Sequence, residues 1–269
     1  MKLLKISLIL LLIMLVVLYG ATGIIQRLSS KDQGPEISCP EGILEVSVRD
    51  SQSVLLQGIT AFDKQDGDIT SRIRILSISK LFTNNTAKVT YLVFDSHENM
   101  DMLVRQIRYT DYSRPVFAIK QPLIYAQNES ITLLDRLQVT DVIDGDITSS
   151  IRVSTLSGTF DPDIYTVSLQ VTNSMGDTSR LTVPVILRND STYCPDIRLR
   201  SYLVYITAGE TFNAWNYLDS LTTMDGTVDI SNVQITDTVD TSTAGTYYVY
   251  YRYPYNDTVG LAVLTVVVQ

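Results

Sequence analysis

The chain has little of the chemistry on which most enzymes and metal sites depend. Its 269 residues include one histidine, one tryptophan and two cysteines. A single histidine, His97, excludes zinc motifs that need a histidine pair. The sequence also contains no Gly-x-Ser-x-Gly elbow and no phosphate-binding glycine-rich loop. We therefore expect no catalytic residues and a protein that is not an enzyme.

Basic residues are also scarce. The chain has 21 Lys and Arg residues against 29 Asp and Glu residues, which gives a formal net charge of -8. Binding to a phosphate backbone needs clustered positive charge, and no such cluster occurs. The composition therefore excludes nucleic acid as an expected partner.

One long apolar run lies near the N-terminus. Residues 6–25 contain no charged residue, and roughly 20 apolar residues in a helix span a bilayer core. Lys2 and Lys5 precede the run and favour a cytoplasmic location for residues 1–5. We predict a transmembrane signal anchor, so that the chain is a single-pass protein of the cell membrane with its C-terminal domains outside.

Cleavage of a signal peptide is the alternative for the same segment. Ala21, Thr22 and Gly23 form a small-residue site that a signal peptidase could use. Cleavage there would give a secreted protein instead of an anchored one. In both cases residues 26–38 form a polar linker and the remainder of the chain is exported.

The dominant pattern after the linker is a repeat. Asp63–Thr70 and Asp141–Thr148 share the motif Asp-x-x-Asp-Gly-Asp-Ile-Thr, and Asp225–Ile230 is a weaker third copy. The aspartates before the shared glycine are 78 and then 81 residues apart. This period suits one small β domain per copy.

Each copy contains strand patterns in the same order. Alternating apolar and polar residues, rich in Val, Ile and Tyr, are separated by short polar turns. The longest such strands occupy residues 87–94, 165–171 and 247–253. We predict an all-β fold of three tandem β-sandwich domains after one N-terminal transmembrane helix, with domain bounds at 39–111, 112–190 and 191–269.

The repeat also aligns the cysteines and three apolar residues. Cys39 and Cys194 each precede a proline at the entrance of the first and third copies. Equivalent points on the first and third domains of a rod would lie tens of ångströms apart, whereas a disulfide needs Cα atoms within about 7 Å. We therefore expect free thiols or intermolecular pairing. Ten residues before the shared Asp-Gly stand Leu56, Leu134 and Trp215, which we predict to be core residues.

The residues resemble a known family at this point. The features are the repeated acidic motif, Ala-Gly-Thr-Tyr-Tyr-Val at residues 244–249, and Asp-Ile-Tyr-Thr-Val at residues 163–167. They resemble the bacterial immunoglobulin-like domain of cell-surface proteins and of a pesticidal crystal protein, and the related hyalin-type repeat. The resemblance implies surface display, adhesion or spacing. Tyr165 and Tyr247 resemble the tyrosine corner of such folds, in which the hydroxyl ties the strand to a nearby loop.

The acidic motif has two interpretations. Asp-Gly is ordinary turn chemistry, with the aspartate capping backbone amides. Calcium is the other interpretation, since it prefers several carboxylate oxygens, and it is the only cofactor that the sequence suggests. Thr222 and Thr227 replace two of the acids in the third copy, which we expect to lack a site. The candidate calcium ligands are Asp63, Asp66, Asp68, Asp141, Asp144 and Asp146.

Tyrosines crowd one hairpin of the third copy. Tyr248 and Tyr250 are the candidate residues of an exposed ligand platform, and ordinary strand propensity is the alternative explanation. The function expected from the sequence is adhesion or spacing by an anchored extracellular protein. The alternative is a calcium-dependent module that binds carbohydrate or protein, so a surface protein or a glycan is a candidate partner.

Overall fold

A computed structural model describes residues 11–17, 34–127, 129–158, 163–188 and 193–269, without the side chains of residues 155–158. Residues 11–17 are helical. Within the described residues, no helix is long and apolar enough to cross a membrane. Most of the predicted anchor, residues 6–25, and of the linker, residues 26–38, lies outside the described residues.

From residue 34 onward the described chain forms three successive pairs of β-sheets, each with seven described strands. The strands of the first sandwich, β1 to β7, are Glu36–Ser38, Leu44–Val46, Thr60–Asp63, Gly67–Asp68, Arg74–Ile78, Thr86–Phe94 and Met100–Tyr109. Those of the second, β8 to β14, are Val116–Ile119, Ile124–Ala126, Leu137–Asp141, Gly145–Asp146, Arg152–Gly158, Ile164–Thr172 and Thr178–Arg188. Those of the third, β15 to β21, are Asp196–Leu199, Leu203–Ile206, Leu218–Thr223, Gly226–Val228, Gln234–Asp237, Gly245–Tyr255 and Thr258–Val268.

The topology is the same in all three sandwiches. A three-stranded sheet has the order β1-β3-β4 in the first sandwich, and the four-stranded sheet has the order β2-β7-β6-β5. The equivalent strands of the second and third sandwiches pair in the same way. The second strand of each sandwich runs parallel to the seventh, and the other pairs are antiparallel. The predicted all-β fold with three immunoglobulin-like sheet pairs is therefore confirmed.

Helical structure in this part of the chain is limited to single turns. The α-helical turns are Gln52–Leu55 and Leu133–Arg136. The 3-10 turns are Thr70–Arg72, Thr83–Asn85, Thr148–Ser150, Ala214–Tyr217 and Ile230–Asn232. Three of these turns contain the residues that we predicted to be buried in the core, Leu56, Leu134 and Trp215, or end directly before them.

Leu134 and Trp215 are not core residues. Leu134 is 44% exposed and Trp215 is 46% exposed, and Leu56 is half-buried. The equivalent core side chains lie one residue earlier, at Leu55, Leu133 and Ala214. The prediction was wrong because it took an apolar residue at a fixed distance before Asp-Gly as buried, whereas this segment is a helical turn in which the preceding residue points into the core.

Buried tyrosines fix these turns to the sheets. Tyr91 and Tyr251 are fully buried in the sixth strands of the first and third sandwiches. Their hydroxyls donate to the carbonyl oxygens of Leu55, at 2.6 Å, and Ala214, at 2.7 Å. A buried tyrosine hydroxyl usually has a partner of this kind. The predicted corner bond of Tyr247 is also present, since its hydroxyl donates to the carbonyl of Thr243 at 2.9 Å.

The chain divides into two compact units. One consists of Met1–Val46 and Asp50–Thr110, which contains the first sandwich, and the other of Ser47–Arg49 and Asp111–Gln269, which contains the second and third. Within the latter unit the two sandwiches share a buried apolar cluster of Ile164, Ile186, Leu261 and Val263. Cys39 and Cys194 are half-buried, and neither forms a disulfide bond within the chain.

Candidate functional site

The first aspartate of the motif is a buried turn residue. Asp63 and Asp141 end the third strand of their sandwiches and are 1% and 2% exposed. Asp63 Oδ1 accepts from the amides of Gln65 and Asp66, both at 2.8 Å. Asp141 Oδ1 accepts from the two equivalent amides at 2.9 Å. The carboxylate thus satisfies the donors of a tight turn.

The shared glycine completes that turn. Gly67 and Gly145 have φ angles of +75° and +73°. Positive φ is accessible to glycine at little cost, whereas a side chain at this position would be strained. The Asp-Gly pair is therefore required by the backbone of the turn.

The second aspartate joins this turn to a distant loop. Asp66 accepts from the amide of Ser96 at 2.8 Å and from its hydroxyl at 2.6 Å. Asp144 accepts in the same way from Ser174, with both distances at 2.6 Å. The Ser96 hydroxyl and the Arg72 guanidinium lower the pKa of Asp66 below its ordinary value. The aspartate thereby ties two loops of one sandwich together.

The third aspartate and the threonine organise the following 3-10 turn. Asp68 accepts from the amide of Thr70, and Asp146 from the amide of Thr148, both at 2.9 Å. The threonine hydroxyls lower the pKa of both carboxyls. Each threonine Oγ1 also accepts an amide from the third strand, that of Ala61 at 3.0 Å in the first sandwich. Every polar residue of the motif therefore has a role inside the fold.

The third copy retains this arrangement with different residues. Its turn is one residue shorter, because Thr223 pairs with Gly226 where Asp63 pairs with Gly67. Thr223, not the predicted Thr222, therefore occupies the position of the buried aspartate, and its Oγ1 accepts from the Asp225 amide at 3.3 Å. The prediction of Thr222 was wrong by one residue because it assumed a turn of equal length in all three copies.

The hydrogen bond between the second aspartate and the distant loop is also present in the third sandwich, with the same separation in sequence. Asp225 accepts from the hydroxyl of Tyr255 at 2.8 Å. Tyr255 lies 30 positions after Asp225, the same separation as between Asp66 and Ser96 and between Asp144 and Ser174. The 3-10 turn is capped by Asp229, which accepts from the Ser231 amide at 2.9 Å. Asp225 thus joins the same two loops in the third sandwich that Asp66 joins in the first.

The structure does not bring the predicted calcium ligands together as one site. In the part of the chain that the structure describes, no group of three or more His, Cys, Asp or Glu residues is arranged to hold a metal ion. Instead, Asp63, Asp66 and Asp68 each turn to donors of their own, as do their equivalents in the second sandwich. Calcium binding stays a prediction.

One buried oxygen distinguishes the first sandwich from the second. Asp63 Oδ2 is buried and has no hydrogen-bond partner among the described residues. Its equivalent, Asp141 Oδ2, accepts from Asn173 Nδ2 at 3.0 Å. The reason is a sequence exchange, since the first sandwich has Asp95 and Asn99 where the second has Asn173 and Asp177. The amide donor is therefore absent from the position that faces the buried aspartate.

Tyr112 extends the network in the second sandwich. Its hydroxyl donates to Asp177 Oδ2 at 3.0 Å and accepts from Asn173 Nδ2 at 2.9 Å. Burial raises its pKa well above the ordinary value, and Asp177 contributes to the shift. Sequence reasoning missed Tyr112 because it lies in the segment before the first strand, outside the repeated motif.

The predicted tyrosine platform lies against the second sandwich. The Tyr248 hydroxyl donates to the carbonyl of Thr182 at 3.1 Å. Tyr248 and Tyr250 are half-buried and pack on the cluster that the two sandwiches share. Burial raises the pKa of Tyr248 to about 12. These side chains thus contact protein, and a role in binding a ligand stays a prediction.

We predict that Asp95→Asn combined with Asn99→Asp stabilises the first sandwich. The exchange copies the arrangement of the second sandwich and supplies Asp63 Oδ2 with an amide donor. A buried acceptor without a partner costs about 1–3 kcal/mol, so a gain of that order is expected. Urea unfolding of the full chain measures it. Asn99→Asp alone is the control, since it brings no amide donor to Asp63 Oδ2, and an equal gain from that single change would contradict the explanation.

The lowered pKa values predict a pH dependence for the same sandwich. The folded pKa of Asp66 and of Asp68 lies below the ordinary value of 3.8. Their contribution to stability is complete above that value and is lost as the pH falls through the lower folded pKa. We expect the melting temperature to fall between about pH 4 and pH 2, and less steeply in Asp66→Asn. Glu41→Gln, at an exposed position, is the control, and an unchanged slope in Asp66→Asn would contradict the prediction.

Comparisons with known proteins support the fold of the third sandwich. Residues 205–264 match the family described as bacterial Ig-like domain (group 3). An uncharacterized 81.3 kDa protein of Acholeplasma phage L2 is 38% identical over 120 residues, which are 42% of this chain and 16% of that protein. The chain therefore spans a small part of that relative.

Solved structures of low sequence identity also match the chain. The M60 catalytic domain with the CBM51-1 and CBM51-2 domains of Clostridium perfringens ZmpB is 14% identical, with a TM-score of 0.24, over 87% of this chain and 30% of that chain. The protocadherin GammaB4 extracellular domain is 12% identical, with a TM-score of 0.20, over 87% of this chain and 49% of that chain. These TM-scores are too low to support an argument about function.

Proposed function

We propose that the protein is a bacterial surface protein whose immunoglobulin-like sandwiches act as a structural spacer that carries an adhesive surface. The observation that supports this most directly is the buried contact between the second and third sandwiches. Leu261 and Val263 of the third sandwich are 6% and 7% exposed and pack on Ile164 and Ile186 of the second. Two domains with a shared core move as one body, which suits a spacer.

Polar contacts fix the same two sandwiches in register. The Tyr205 hydroxyl lies 3.2 Å from both the amide and the carbonyl of Phe117. Arg188 donates to the carbonyl of Leu261 at 3.0 Å. Directional bonds beside an apolar contact favour one relative orientation. This arrangement supports a scaffold more than a flexible linker.

The repeated motif supports the same proposal. Its aspartates hold turns and loops within each sandwich, so their repetition follows from repetition of the fold. Residues that serve an active site would be expected in one copy, because catalytic function depends on a particular site and not on the fold. Exposed surface of the sandwiches is then available for a protein or glycan partner.

The location proposed is the cell membrane, with residues 6–25 as a signal anchor and the sandwiches outside. The experiment is expression of the full chain with a C-terminal epitope, followed by membrane fractionation and protease treatment of intact cells. Anchoring predicts a carbonate-resistant membrane protein whose epitope is removed by external protease. Release into the medium with a new N-terminus near Gly23 would support the secreted alternative, and a protease-resistant epitope in intact cells would contradict surface display.

A calcium-dependent binding module is the second candidate, and Asp63 favours it. Its Oδ2 is buried without a hydrogen-bond donor, and a carboxylate oxygen in that state is a suitable cation ligand. Calcium titration of the full chain by calorimetry tests this candidate, with Asp63→Asn and Asp141→Asn as a matched pair. Calcium binding lost only in Asp63→Asn would support it. Absence of binding at millimolar calcium would remove it.

A further inference from the structure

The first sandwich has an exposed apolar face on its four-stranded sheet. On the outer side of its four-stranded sheet, strands β6 and β7 place Phe94 opposite Met100, Leu92 opposite Met102, and Thr90 opposite Val104. Phe94, Met100, Met102 and Val104 are 48–58% exposed. Tyr91 and Val93, which alternate with them, point into the core and are fully buried. We call the six residues of these three pairs the outer face.

The same positions are polar in the second sandwich. The equivalent pairs of β13 and β14 are Thr172 with Thr178, Gln170 with Arg180, and Ser168 with Thr182. Each stands 78 residues after its counterpart in the first sandwich. The fold therefore does not require apolar residues at these positions. Their presence in the first sandwich needs another explanation.

The third sandwich shows what an apolar outer side does in this chain. There, β20 and β21 place Tyr250 opposite Val263 and Arg252 opposite Leu261. Leu261 and Val263 are buried, and the residues that cover them belong to the neighbouring second sandwich. Where this side of a sheet is apolar and covered, its occupant is thus another sandwich of the same chain. At the pairs Thr172–Thr178 and Gln170–Arg180 of the second sandwich, the same side carries threonine, glutamine and arginine.

We propose that the outer face of the first sandwich binds the same face of a second copy of this chain. Two-fold pairing would bury the Phe94–Met100 and Leu92–Met102 pairs against each other. Apolar patches of this kind on soluble domains mark interaction sites, and methionine adapts to an irregular partner surface. A second copy offers the matching apolar surface without any further component.

The dimensions of the sheet indicate a weak dimer. The four strands of this sheet have 3, 10, 9 and 5 residues in the order β2, β7, β6 and β5. At about 4.8 Å between strands and about 3.3 Å per residue, the outer side of the whole sheet covers on the order of 430 Å². A standard stable interface buries about 800 Å² on each partner. The whole side of the sheet reaches only about half of that area, so we expect weak association, with a dissociation constant at the upper end of the micromolar range.

The test is the oligomeric state of the full chain in mild detergent, measured by sedimentation velocity from about 1 to 200 µM, a range that brackets a micromolar constant. Two double variants copy the second sandwich onto the first: Phe94→Thr with Met100→Thr, and Leu92→Gln with Met102→Arg. Phe62→Thr is the matched control, because Phe62 is 62% exposed on the other sheet of the same sandwich. Melting curves show that each variant is folded before its association is compared.

We expect a concentration-dependent dimer for the wild-type chain and for Phe62→Thr, and at least a ten-fold weaker association for both double variants. Having two variants keeps the test decisive if one of them fails to fold. A wild-type chain that stays monomeric over the whole range would overturn the proposal. Double variants that dimerise like the wild type would also overturn it. So would a monomeric wild type whose outer face binds lipid vesicles, which would assign the face to a membrane.

Discussion

Val263→Asp is expected to separate the second and third sandwiches. Val263 is 7% exposed in the cluster that joins them. An unpaired carboxylate introduced there loses its hydration, and uncompensated buried charges cost about 3–5 kcal/mol. The variant should lose stability by that amount and should unfold in two steps where the wild type unfolds its two joined sandwiches together.

Trp215 makes this result measurable. It is the only tryptophan of the chain and belongs to the third sandwich, so its fluorescence reports on that sandwich alone. Urea unfolding followed by Trp215 fluorescence and by circular dichroism should give different midpoints in Val263→Asp and coincident ones for the joined sandwiches in the wild type. Val259→Asp is the matched control, since Val259 lies on the same strand and is 47% exposed. Equal losses in the two variants would show that the shared cluster does not couple the sandwiches.

Asp141→Ala is expected to destabilise the second sandwich more than Asp63→Ala destabilises the first. Asp141 accepts three hydrogen bonds, from the amides of Ile143 and Asp144 and from the side chain of Asn173. Each bond to a charged group contributes about 1.5–3 kcal/mol, and the contributions are not fully additive, so a loss of about 3–5 kcal/mol is expected. Asp63 lacks the side-chain donor, and we expect a loss about 1–2 kcal/mol smaller.

Hydrogen exchange measured by mass spectrometry localises the two effects. Asp141→Ala should speed exchange of the amides of Ile143 and Asp144 and of the strands around them, while the first sandwich keeps its protection. Asp63→Ala should act in the first sandwich only. If the two alanine variants lost equal stability, the difference between Asn173 and Asp95 would have no energetic consequence.

The sequence predicted the architecture because the architecture repeats. The period of the Asp-Gly motif identified three copies, and period-two alternation identified the long strands, both of which depend on local residue order. The turn interpretation of the motif followed from Asp and Gly chemistry, and the structure shows the bonds that this interpretation requires at Asp63, Asp66 and Asp68.

The errors came from places where the period changes or where contacts are not local. Trp215 lies in a 3-10 turn, and the turn at Thr223 is one residue shorter than its counterparts. The contact that covers Tyr248 depends on how two sandwiches pack, which no local pattern specifies. The sequence did contain one indication of this contact. Leu261 and Val263 are apolar, whereas the equivalent residues of the second copy, Arg180 and Thr182, are polar.

The parallel pairing of the second and seventh strands has a mechanical consequence. Leu44 pairs with Ile107, Ile124 with Ile186, and Leu203 with Thr265, each at the start of a parallel register. In a parallel pair of this kind, tension that enters through the earlier strand and leaves through the later one acts along the strands. It therefore loads all the hydrogen bonds of the pair at once in shear, instead of opening them one after another. A chain that connects a cell to a surface under flow would gain resistance to extension from this arrangement in every sandwich.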